Sequence, residues 1–154
     1  MFLLSKREVF ANSGIKPRKR VLDEDEVWAL VRATAKLKHP WCHLYKWLLL
    51  TGCRLSDATD AQWAEFKPEL RKAIRDAKAS GQSVDWAAVP DSHKLWQIPA
   101  ERFKSDVPQI LPLSDGLCEI LELVPMRGKF VFSYTGDNAL WLSDIRTCET
   151  DLAA

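Results

Sequence analysis

The sequence predicts a mainly α-helical fold with a small antiparallel β-sheet (α+β). Three observations predict it. Apolar residues recur at helical spacing around Val27–Ala35, Trp41–Leu50, Leu70–Ala77 and Leu117–Val124. Two short alternating segments, Leu95–Pro99 and Gln109–Leu113, flank a polar connection and read as a hairpin. The 154 residues are 47% hydrophobic with seven tryptophans, enough apolar material for one real core and too much for a disordered chain.

Taken in order, residues 1–20 read as a basic linker. Lys6, Arg7, Lys16, Arg18, Lys19 and Arg20 lie there, with Gly14 and Pro17 as breakers. Asp23 is a good N-cap and Glu26, three residues on, completes a capping box for the first helix. That helix fades near Lys38-His39-Pro40. A second helix starts with Pro40 in its first turn and runs to Leu50. It is apolar nearly all round, which predicts a central, buried element. Gly52 is its expected C′ residue. A short helix follows over Leu55–Ala61, and Gln62–Phe66 alternates like a strand. Residues from about 67 to 94 read as an insertion carrying a surface amphipathic helix. Leu70, Ala73, Ile74 and Ala77 form its apolar face, Gly81 ends it, and Lys67, Arg71, Lys72, Arg75 and Lys78 suit either solvent or a polyanion. After the hairpin, Ser114 or Asp115 caps a helix that Pro125 and Gly128 stop. Phe130-Val131-Phe132 is a short strand or a buried extended piece, and signals are weak beyond Ser133.

Formal net charge is +1, but it is unevenly spread. Residues 1–105 carry 19 Lys/Arg against 13 Asp/Glu, or +6, and residues 106–154 carry 3 against 8, or −5. A polyanion would use the front; ordinary solvated helix faces also account for it. The four scattered cysteines (Cys42, Cys53, Cys118, Cys148) form no CxxC pair, so free thiols in a reducing cytoplasm are expected and a zinc site is not. His39 and His43 have a spacing that can ligate a metal but lack a third ligand. The apolar run Trp47–Leu50 is far too short to span a membrane, and Lys6, Arg7 and Glu8 interrupt any secretory core after Met1-Phe-Leu-Leu. There is no Walker loop, GxGxxG or HExxH, and no cofactor is expected.

The chemistry concentrates in Leu50-Thr51-Gly52-Cys53-Arg54-Leu55-Ser56-Asp57. A helix ends at glycine, and a permanently charged arginine follows on the corner, placed to clamp a phosphate oxygen. The plain alternative is an arginine paired with Asp57 at a helix start. A second stretch, Trp96-Gln97-Ile98-Pro99-Ala100-Glu101-Arg102-Phe103-Lys104 followed by Leu111-Pro112-Leu113-Ser114, sits in the hairpin. On its own Lys104 is a solvated loop lysine.

Together these two stretches resemble the tyrosine recombinase (phage integrase) family. Its landmarks there read Leu-Thr-Gly-x-Arg-x-x-Glu, then Trp-x-Ile-Pro-x-x-Arg-Met-Lys and Val-Pro-Leu-Ser. The resemblance covers roughly residues 20–133, with the 67–94 insertion as the main departure. It implies a tyrosine recombinase catalytic-domain-like fold. Arg54 would bind phosphate with Asp57 supporting it, Lys104 would act as general acid toward the leaving 5′-oxygen, and Arg102 would contact DNA. The family's third box, His-x-x-Arg, has a worn counterpart in Ser143 to Arg146 or only a chance match. Asp57 stands where the family usually has glutamate, and Gln109 where many members carry a basic residue or histidine.

No tyrosine follows Arg146; the two present are Tyr45, expected in the core, and Tyr134, expected at a surface or edge. The resemblance therefore implies a partial catalytic domain over residues 21–154, incomplete at its C-terminal end, with residues 1–20 as a linker remnant. Its expected partner is double-stranded DNA, through the phosphate backbone, in integration and site-specific recombination. On its own it is not expected to cleave DNA, since the nucleophilic tyrosine and the His of the third box are missing. The alternative is a non-catalytic remnant serving as a protein-interaction or dimerisation module, whose exposed apolar surface would seek a partner or a second copy in a homo-oligomer.

Overall fold

The computed structural model describes residues 20–102 and 107–140. The chain divides at Leu30/Val31 into two units. In the first, the backbone N–H of Glu26 donates to Asp23 Oδ1 (2.8 Å) and that of Asp23 to Glu26 Oε2 (3.2 Å). This is the expected capping box, and it starts α1, Glu24–Thr34.

The second unit is built on α2, Trp41–Thr51, and α5, Asp115–Leu123, which pack together. Between them in sequence come α3 (Leu55–Thr59), α4 (Pro68–Ser80) and a two-stranded antiparallel sheet. Strand β1, Leu95–Ile98, pairs with β2, Gln109–Pro112, so that Trp96 faces Leu111 and Ile98 faces Gln109. The α+β expectation holds at this level: mainly helical with one small hairpin sheet.

Trp47 on α2 is the centre of the core. Its ring meets Trp96 (5.4 Å), Phe132 (5.6 Å) and Phe66 (6.0 Å) in tilted or edge-on contacts, and Phe66 stacks on Trp96. All four are fully buried. Offset and edge-to-face pairs of this kind add about 0.5–1.5 kcal/mol each to the area they bury. The helix is not buried all round, however. Trp41, Leu44 and Trp47 face inward while Leu49 and Leu50 are exposed, because three apolar anchors spaced three residues apart already fix one face to the core.

Gln62–Phe66 is not a strand. Its ends form isolated antiparallel bridges, Gln62 with Phe130 and Phe66 with Trp96, while Trp63–Glu65 curls into a 3₁₀ turn. The turn lets Trp63, Glu65 and Phe66 all point inward, which a two-residue alternation forbids. The 67–94 segment is tied into the core rather than merely appended. Leu70, Ile74 and Ala77 of α4 are buried, as is Trp86 beyond it. Glu122 of α5 accepts from Trp86 Nε1 (2.8 Å) and the Val84 N–H (3.2 Å). The buried Lys94 ammonium donates to Asp115 Oδ1 (2.7 Å) and lies 2.9 Å from Asp91 Oδ1. Those two carboxylates, by hydrogen bond and by charge, raise its pKa above the usual lysine value. Ser114 caps α5, its hydroxyl accepting from the Leu117 N–H.

At the other end of α2, Trp41 Nε1 donates to the Tyr134 hydroxyl (2.6 Å), and His39 Nε2 lies 2.9 Å from the Ser133 carbonyl. That carbonyl only accepts, so His39 carries its proton on Nε2 and its Nδ1 accepts from His43 Nδ1 3.3 Å away. Burial lowers the His39 pKa although the Ser133 carbonyl favours the charged ring. Burial, then the neighbouring His39, Lys46 and Lys78, lowers His43 to a pKa of about 4. The unfolded chain takes up this proton near 6.5 and the folded one only near 4. Stability from this ring is complete above pH 6.5 and is lost as pH falls toward 4. Since the ring is only half-buried, solvent screening leaves about 1 kcal/mol. Urea melts at pH 7 and pH 4.5 should show this loss. His43→Gln should flatten the dependence over that window.

Candidate functional site

The site begins where α2 ends. Thr51 Oγ1 donates to the Trp47 carbonyl (2.7 Å) and accepts from the Cys53 N–H (3.3 Å), fastening the last turn. Gly52 then takes the left-handed conformation (φ 61°), its N–H closing on the Leu48 carbonyl (2.9 Å). A side chain at that φ is strained, so the sharp exit favours glycine. Two residues later Arg54 is extended (φ −68°, ψ 150°) and is the N-cap of α3.

Arg54 and Asp57 interlock through the backbone. The Asp57 N–H donates to the Arg54 carbonyl (3.0 Å), and the Arg54 N–H donates to Asp57 Oδ2 (3.3 Å). The expected side-chain ion pair is not formed. Asp57 is buried, and its short carboxylate reaches the main chain of Arg54 rather than its head group. The Arg54 guanidinium is exposed and has no hydrogen bond or ion pair among the described residues. Its five donors stay available while its backbone is fixed.

Arg54 lines a concavity of about 300 Å³ together with Thr51, Gly52, Cys53 and Asp57 on one wall. Trp96 and Ile98 of β1 and Gln109 and Leu111 of β2 make the other wall. Both strands of the hairpin thus face the arginine corner. Burial, with the Asp57 charge adding to it, raises the Cys53 thiol above its usual pKa despite the Thr51 hydrogen bond, so it stays neutral beside an anion.

The structure gives Arg102 a different setting from the one its motif suggests. Its Nη1 donates to Glu65 Oε1 (2.7 Å), and its Nη2 donates to the carbonyls of Ser56 (3.2 Å) and Asp57. The side chain is only 16% exposed. The other oxygen of Glu65 accepts from Trp96 Nε1 (2.8 Å). One carboxylate therefore joins the hairpin strand, a residue of the hairpin connection and, through Arg102, helix α3. Sequence reasoning did not single out Glu65. The available signal was an acidic residue between Trp63 and Phe66, where a buried charge demands a partner. Lys104, Ser143 and Arg146 lie outside the described residues. Among the described residues, no group of three or more His, Cys, Asp or Glu side chains is placed to hold a metal ion, and no helix is long and apolar enough to cross a membrane.

Over 92 residues the chain is 34% identical to the prophage integrase IntA of Escherichia coli (strain K12). The match takes in 58% of this chain and 17% of that protein, so the chain corresponds to well under a fifth of its relative's length. No family model matches the chain, and no solved structure does. The similarity is distant, and it agrees with the family resemblance carried by the arginine corner and the hairpin.

Removing the Glu65 carboxylate strands the Arg102 charge and the Trp96 donor together. Glu65→Ala should cost about 3–5 kcal/mol of stability, measured by urea unfolding, as for a broken buried ion pair. A loss below about 1 kcal/mol would contradict the central place given to this group.

Proposed function

We propose that this chain is part of an integrase-type catalytic domain that binds duplex DNA through its phosphate backbone, in site-specific recombination. The observation that carries the reading is the shared concavity: an unpaired, backbone-locked Arg54 faces both strands of the hairpin whose connection bears Lys104. A phosphodiester in that space would meet the planar guanidinium fork, with the Gln109 amide and the neutral Cys53 thiol beside it. Lys104, on the connection between β1 and β2, would supply the proton for a leaving 5′-oxygen. Arg146 would add a second guanidinium to the same phosphate. Asp57 supports Arg54 by fixing its main chain. Arg102 acts at one remove from DNA, as the strut that sets the hairpin against α3.

Bound alone, this 154-residue stretch would hold DNA without rejoining it. Strand transfer needs a phenol oxygen in line with the scissile bond. Tyr134 instead accepts from Trp41 at the far end of α2 from the concavity, and Tyr45 packs against the Trp41 ring. A second reading, a non-catalytic dimerisation module, draws on the exposed apolar residues Leu50, Val107 and Ile110.

Fluorescence anisotropy with a 25-base-pair duplex over 50–200 mM salt separates the two. Arg54→Ala should weaken binding about tenfold and lower the salt slope by about one. Lys104→Ala should act in the same direction. Absence of affinity at the lowest salt, together with a stable dimer mass in solution, would favour the second reading instead.

A further inference from the structure

We propose that one flank of α4 is a second contact for duplex DNA, gripping the phosphate backbone along Lys67, Arg71, Arg75 and Lys78. This rests on the DNA-binding reading above and extends it to a segment outside the two family landmarks. At 100° per residue Arg71, Arg75 and Lys78 fall within an arc of about 60°, and Lys67 is the N-cap residue just before the helix. The buried seam of Leu70, Ile74 and Ala77 lies beside that arc, and the carboxylates Glu69 and Asp76 lie across the helix from it. A merely solvated helix face interleaves opposite charges at i,i+4. Here only one such pair exists among the described residues, Lys72 with Asp76, and it stands off the stripe.

The stripe is largely unspent. Lys67, Arg71 and Arg75 have no side-chain hydrogen bond or ion pair among the described residues, and Arg75 is exposed. Lys78 donates to the Glu122 carbonyl and feels the Glu122 charge, so it is the most committed of the four. The Glu122 carboxylate oxygens are themselves taken by Val84 and Trp86.

Two further facts select duplex DNA. From Lys67 to Lys78 the helix rises about 16 Å, and one strand of a duplex offers a phosphate about every 3.4 Å of axis, so each cation can meet its own phosphate. The stripe also begins at the candidate site. Phe66 bridges to Trp96, a wall residue of the concavity, and the Lys67 N–H lies 3.4 Å from the Leu95 carbonyl. A rigid helix anchored by its buried seam thus carries positive charge away from the strand that faces Arg54.

The test is the same anisotropy titration with the triple variant Lys67→Gln, Arg71→Gln, Arg75→Gln. Glutamine keeps much of the aliphatic stem and the helix propensity, and a circular dichroism melt checks the fold. The salt slope should fall by about 2–3 and affinity at 0.1 M salt at least tenfold, whereas Lys72→Gln, off the stripe, should change neither. If the parent chain binds, Arg54→Ala weakens it and the triple variant matches the parent or Lys72→Gln, the α4 contact is wrong and the Arg54 site stands. If the parent chain fails to bind duplex at 50 mM salt, both readings fall.

Discussion

The Glu65 carboxylate is the constraint on which the geometry of the candidate site depends. It sits at the end of a 3₁₀ turn with both oxygens engaged, one by the indole of Trp96 and the other by Arg102. Trp96 is also a core residue and a wall of the concavity, so the same bond positions the hairpin and shapes the site. Arg102 passes the constraint on to α3 through the carbonyls of Ser56 and Asp57. Asp57 in turn holds the backbone of Arg54. Four residues far apart in sequence thereby fix the distance between the arginine corner and the strands that face it. A buried charge is an expensive way to do this, and a hydrophobic contact would hold the layers together as well. What the ionic arrangement adds is direction. Two oxygens and a forked cation admit few relative orientations.

The aromatic cluster explains why the corner itself is rigid. Trp47 is locked among Phe66, Trp96 and Phe132 only one turn before Gly52. Thr51 reaches back to the carbonyl of that same tryptophan. Motion of the exit turn therefore requires motion of the core. Leu49 and Leu50 are exposed, so it is the face bearing Trp41, Leu44 and Trp47 that anchors the helix in the core.

Much of the fold was legible in the sequence because the signals are local. The Asp23/Glu26 box, the glycine exit at Gly52, the Ser114 cap and the hairpin pairing each depend on residues a few positions apart, or on a simple alternation. Arg54 could be found by its place after the glycine. What local pattern could not give was the long-range pairing. Glu65 meets Trp96 and Arg102 across 31 and 37 residues, and nothing near Glu65 announces them. For the same reason Gln62–Phe66 looked like a strand, since inward-facing Trp63, Glu65 and Phe66 show their purpose only once three partners are assembled. The 67–94 segment reads as an insertion with an amphipathic helix because that pattern is local, whereas its attachments through Lys94 and Glu122 are not.

Arg54 and Arg102 make the general point in one molecule. Both stand in motif positions of the family resemblance, which implies phosphate binding for Arg54 and a DNA contact for Arg102. Their surroundings divide them. Arg102 lies where two carbonyls and a buried carboxylate converge, and its charge goes to holding elements together. Arg54 has its backbone satisfied by Asp57, which leaves the guanidinium uncommitted at the rim of a concavity. A cation needs both a fixed stem and an unfilled head to be a ligand for something outside the chain, and only one of the two arginines has both. The same criterion picks out Arg75 on α4, which is exposed and unpaired among the described residues, and it passes over Lys94, whose head is buried between two carboxylates. Sorting cations by what already holds them, and not by where a motif puts them, separates those that brace the fold from those whose heads are uncommitted.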